Sequence, residues 1–72
     1  MNSEIIGAWA GQLWEALNEA DVLGTKQVKK ITKLKDKELF AAIGWLAREN
    51  KIDIQESPED PKELLLALVQ DK

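Results

Sequence analysis

The 72-residue chain contains no cysteine, no histidine and no tyrosine. Without cysteine, no disulfide can staple so small a domain and no thiolate can act as nucleophile. Without Cys or His, the usual zinc ligand sets are excluded. Serine occurs only at Ser3 and Ser57, neither with a base in the sequence pattern to activate it. The four glycines never cluster, so there is no phosphate-binding loop. Asp53, Glu56, Glu59 and Asp60 lack the glycine and the ordered spacing of a calcium loop and read as a solvated acidic turn. These absences argue against an enzyme and leave no expected cofactor, metal or small-molecule substrate. Long hydrophobic runs are missing too. The longest, Leu64–Val69, is far short of the roughly 20 apolar residues a membrane helix needs. Met1-Asn2-Ser3-Glu4 lacks the basic start of a signal peptide. The expectation is a cytoplasmic protein with no membrane partner.

What the chain has is an uneven charge distribution. The net charge of −3 argues against a generic nucleic-acid binder. Residues 25–37, TKQVKKITKLKDK, nevertheless hold six lysines and one aspartate, a local +5, which leaves −8 on the rest of the chain. That run either is a solvated helix face or forms an edge that neutralises phosphates.

Apolar spacing places the elements. In residues 4–20, Ile6, Trp9, Ala10, Leu13, Trp14, Leu17 and Ala20 share one arc at about 100° per residue, with Gln12, Glu15, Asn18 and Glu19 opposite. This is a helix with Ser3 as the expected N-cap and with Trp9 and Trp14 at the edges of its apolar face. Gly7 and Gly11, four apart, cost about 1 kcal/mol each in helix propensity and suggest close approach of another backbone. Asp21–Gly24 reads as a short extended stretch. Thr25 is the expected cap of a second helix, 25–33, that buries Val28 and Ile31, with Leu34 plugging the turn after it. A third helix starts near Asp36 and turns Leu39, Phe40, Ile43, Leu46 and Ala47 inward. Lys37, Ala41, Gly44, Trp45 and Arg48 lie on its other side. Ile52 and Ile54 alternate with Asp53 and Gln55 as in a half-buried strand, and SPEDPK, 57–62, is a turn. Residues 63–69 stay open. Asp60-Pro61-Lys62-Glu63 resembles a helix-capping box, whereas the overall plan wants a strand pairing back on 52–56.

Helix, short strand, helix, turn, helix, strand, turn and a last segment is the plan of a winged helix-turn-helix: one α+β, mainly α domain over 1–72, three helices with a small antiparallel sheet and wing. Two strings go further. IIGAWAGQLWEAL and LKDKELFAAIGWLARENKI resemble a family of small uncharacterised prokaryotic winged-helix proteins. That family has an Ile-Gly…Ala-Gly…Trp…Leu first helix and a Gly-Trp-Leu-Ala-Arg-Glu third helix. The matching positions are Ile6, Gly7, Ala10, Gly11, Trp14, Leu17 and Gly44 to Glu49. The resemblance covers residues 4–54 and implies the fold and a DNA-binding, transcription-related role. The chain departs from DNA-binding winged helices in its wing, which carries Glu56, Glu59 and Asp60 against Lys62.

The site expected on this plan has two parts. Lys26, Lys29, Lys30, Lys33 and Lys35 would hold phosphates of double-stranded DNA. Lys37, Ala41 and Arg48 would face the groove, where Arg48 alone has base-reading chemistry. The competing expectation is a homodimer or protein-interaction module without DNA. It uses Trp45 and the apolar last strand as an exposed edge. A third expectation for Trp45 is simple packing under the C-terminal segment.

Overall fold

The computed structural model describes residues 2–69. The chain forms helix α1 (Ser3–Asn18), strand β1 (Leu23–Gly24), helix α2 (Thr25–Thr32), helix α3 (Asp36–Arg48) and strands β2 (Ile52–Glu56) and β3 (Leu64–Leu68). It is thus three helices with a small antiparallel sheet, mainly helical, in the expected order.

Local chemistry sets the helix ends, with two corrections. Asn2, not Ser3, caps α1, its Oδ1 accepting the Ile5 N–H at 2.9 Å. Gly24, not Thr25, is the N-cap of α2. Having no side chain, it relies on Gln27 Oε1, which accepts the Gly24 N–H at 3.0 Å. α3 begins at Asp36 as expected, and Glu38 Oε1 accepts the N–H of its N-cap, Lys35, at 2.9 Å. After α3, Asn50 takes φ 58° and the Lys51 N–H reaches back to the Leu46 carbonyl at 2.9 Å. That closure satisfies helix-end carbonyls through a residue type that tolerates the left-handed region.

The core lies where α1, α3 and the sheet meet. Leu13 and Leu17 of α1, Val28 of α2, Leu39 of α3 and Leu66 of β3 are fully buried, and Leu34 plugs the α2–α3 turn. Ile31 and Phe40 do not join them: they are 57% and 49% exposed. The buried line of α2 runs through Thr25 and Val28 towards half-buried Thr32, so Ile31 falls at its margin. In α3 the buried set is Leu39, Ala42, Ile43 and Leu46, which centres the inward face away from Phe40. Ile54 is also exposed, so β2 buries only Ile52.

The open segment 63–69 is strand over Leu64–Leu68. β3 pairs antiparallel with β2 on one side, from Ile52 against Leu68 to Glu56 against Leu64, and with β1 on the other, Leu23 against Leu66 and Gly24 against Leu65. The order β1-β3-β2 makes β3 the middle strand. The expected dimer edge on this apolar strand is therefore taken by the chain itself, along its length by β2 and at Leu65 and Leu66 by β1. The capping-box residues build a turn instead: Asp60 Oδ1 accepts the Lys62 N–H at 2.9 Å, and Ser57 Oγ accepts the N–H groups of Glu59 and Asp60, each at 3.3 Å.

Candidate nucleic-acid interface

The α2–α3 corner is built by three residues. Thr32 Oγ1 donates to the Val28 carbonyl at 2.8 Å and accepts the Leu34 N–H at 3.3 Å, ending α2. Lys33 turns left-handed, φ 61° and ψ 20°, while its N–H closes on the Lys29 carbonyl at 2.8 Å. Leu34 drops into the core and Lys35 opens α3. The chain bends sharply here; no continuous rod runs through 32–35.

The lysines on this corner differ in what they touch. Lys26 lies against the wing: its Nζ meets Asp60 Oδ2 at 3.1 Å, and its backbone N–H donates to Glu63 Oε1 at 3.2 Å. The hydrogen bond to Asp60, then the charges of Asp60 and Glu63, push the Lys26 pKa up. Asp60 is held below its ordinary range, first by the Lys62 N–H and next by Lys26. Lys29 pairs with Asp36 at 2.7 Å. Lys30, Lys33, Lys35 and Lys37 are exposed and make no ion pair among the described residues.

Between the starts of α2 and α3 and the wing lies a cleft of about 150 Å³ lined by Lys26, Lys29, Lys62, Asp36 and Phe40, among others. Lys62 and the carboxylates Asp60 and Glu63 were absent from the sequence-derived phosphate set. No local period could have supplied them, because 34 and 37 residues separate them from Lys26. The wing acids do not simply oppose the lysines; two of them fold back onto the start of α2.

On α3, Lys37, Gly44 and Arg48 are exposed and Ala41 is half-buried. Arg48 stands eleven residues beyond Lys37, about 16 Å along the axis at 1.5 Å per residue. It lines a depression with Gly44, Trp45 and Glu49, apart from the lysine corner. Trp45 does not pack under the C-terminal strand. Its ring lies over Gly7 of α1, where an added Cβ would sit 3.8 Å from Cζ2, and it is Trp14 that borders Leu68 and Val69.

Residues 1–66 match the winged helix-turn-helix domain family DUF2582, and the chain belongs to that family. Among solved structures it is similar to the solution NMR structure of protein BT2368 from Bacteroides thetaiotaomicron, with 35% identity and a TM-score of 0.78 over 94% of this chain and 79% of that one. It also superposes on the PcaV transcriptional regulator of Streptomyces coelicolor, solved with its natural ligand (20% identity, TM-score 0.75, 96% of this chain and 45% of that one). A mutant MarR from E. coli complexed with operator DNA has 13% identity and a TM-score of 0.74, over 96% of this chain and 46% of that one. These last two likenesses show the fold, and the chain spans about half the length of those regulators. No match is found among curated proteins. Among the described residues no helix is long and apolar enough to cross a membrane.

Proposed function

We propose that the chain binds double-stranded DNA, mainly through the phosphate backbone, in a transcription-related role. The observation that carries this reading is the corner itself. Lys30 in the last turn of α2, and Lys33 and Lys35 on the tight turn that leads into α3, are exposed and unpaired among the described residues. A flexible ammonium free of carboxylate partners can neutralise phosphate without first breaking an ion pair. Lys26 and Lys29 join this set by exchanging Asp60 and Asp36 for phosphate. Lys37, Ala41 and Arg48 lie along the groove-facing side of α3, with Arg48 the one candidate for base contact. The likeness to a MarR solved on operator DNA supports the scaffold for this role.

The left-handed Lys33 adds to the argument. A non-glycine residue there costs roughly 1–2 kcal/mol, and glycine would adopt the conformation freely. A lysine kept at such a position is more readily explained by its charge than by the turn.

The reading predicts weak binding with steep salt dependence. Fluorescence anisotropy with a mixed-sequence duplex, titrated across ionic strength, measures it. Each phosphate contact contributes a slope of about 0.9 in log K against log salt. Lys30→Glu with Lys33→Glu is expected to lower that slope by about 2 and to weaken binding alike on all sequences. No binding at low salt, or binding indifferent to the double variant, rules the proposal out. A dimerisation or protein-interaction role without DNA is the second reading, favoured by the half-exposed Trp45.

A further inference from the structure

Gly7, Gly11 and Gly44 sit inside helices, where each costs about 1 kcal/mol relative to alanine. The chain's own packing does not require them. A Cβ at Gly11 or Gly44 would meet nothing within 4 Å, and one at Gly7 would make only ordinary contact with the Trp45 ring. What they do is deepen a groove. It has a volume of about 300 Å³ between α1 and α3, floored by Gly7 and Gly11 and flanked by Trp14 and Trp45. Two further depressions share its tryptophans, one lined by Trp45 with Gly44, Arg48 and Glu49, the other by Trp14 with Lys51, Leu68 and Val69. Both indoles are 39% exposed.

We infer that this groove docks a second copy of the chain, the two related by a two-fold axis. Such a contact sets a patch against itself, so the patch must tolerate its own charge. The lysine corner and the acidic wing would each repel their like. The groove would not: its rim carries Glu15 and Glu49 against Arg48 and Lys51, a balance of zero on a chain of net −3. None of these four side chains has an ion-pair partner among the described residues, so each is available to a neighbour. Aromatic side chains at the centre with opposed charges at the border match the anatomy of protein interfaces. The sheet offers no rival contact. β3 is paired along its length with β2 and at Leu65 and Leu66 with β1, β1 has two residues, and the free edge of β2 bears Asp53 and Glu56, which discourage self-pairing. None of the corner lysines lines the groove, so the inference stands without their phosphate contacts; Arg48 alone is shared, and a dimer that seats it withdraws it from base contact.

Sedimentation equilibrium of the full chain from micromolar to millimolar concentration tests it. The expected result is a mass that climbs from one copy to two and stops. Glu15→Lys, which takes the rim to +2, is expected to raise the dissociation constant at least about tenfold, more at low salt. Gly11→Leu fills open space on a helix, so it is expected to raise the monomer's melting temperature while weakening association. Opposite signs in those two readouts separate a blocked groove from a damaged fold. A chain monomeric at every concentration overturns the inference and leaves the groove to a different protein. A dimer that both variants leave intact also overturns it, by placing the contact elsewhere.

Discussion

Gly24 carries more of the architecture than its size suggests. A Cβ there would lie 2.5 Å from Glu63 Oε1, so the carboxylate that accepts the Lys26 N–H occupies space that only glycine leaves open. Gly24→Ala is expected to displace Glu63 and cost about 1 kcal/mol, the scale of one net hydrogen bond. In a Glu63→Ala background most of that cost should vanish, and chemical denaturation of the four chains measures the coupling. Lys33→Gly has the reverse sign. Relief of the left-handed conformation is expected to stabilise by about 1 kcal/mol, seen as a higher denaturation midpoint, while DNA affinity falls. The Lys26–Asp60 pair sets a pH dependence. Asp60 has its folded pKa lowered from 3.8, so its contribution is present above that value and is lost as pH falls through the lower folded one. Lys26, raised from 10.5, contributes fully below that value and loses its share as pH climbs through the higher folded one. Lys26 is exposed and Asp60 only half-buried at the surface, so the effect is small. The stability gap between wild type and Asp60→Asn should hold through neutral pH and narrow below about pH 4 in thermal melts.

At the scale of elements, the helices were legible because apolar period acts within a few residues, although the caps of α1 and α2 each fell one residue earlier than their sequence signals. Leu13, Leu17, Leu39 and Leu46 all went inward as their spacing required. The misplacements sit at the margins of arcs. Ile31 and Phe40 are apolar residues at positions the rest of the core did not need to reach. The last strand was ambiguous for a different reason. Asp60 to Glu63 carries a helix-start signal, and Leu64–Leu68 is strand only because β1 and β2 flank it on both sides. The partners of Lys26 were illegible for the same cause, since Asp60 and Glu63 arrive from the far end of the hairpin. The lysine corner itself could be read, because its turn and its charges are adjacent in sequence. Leu66, enclosed in the sheet's centre, is the residue on which this arrangement most depends. Leu66→Ala is expected to cost 2–5 kcal/mol, measurable as a lower denaturation midpoint with cooperative unfolding retained.

Across the whole molecule, charge is sorted by region. Residues 25–37 carry +5, the remainder −8, and the two meet where Asp60 and Glu63 touch Lys26. Long-range repulsion of a polyanion by the acidic remainder should slow association except when the lysine corner leads. Raising salt is therefore expected to weaken DNA binding steeply and any dimer through the neutral groove rim much less, since there it screens only the opposed charges at the border. The two behaviours can be followed on one sample by anisotropy and sedimentation.

The middle position of β3 also dictates an order of events. Leu23 and Leu66 are neighbours in space but far apart in sequence, and β2 reaches β1 only by way of β3. A nascent chain that has emerged only as far as Pro61 holds both outer strands with nothing between them. Its helices can form, yet its sheet cannot start, so assembly must wait for the hairpin's returning arm to leave the ribosome.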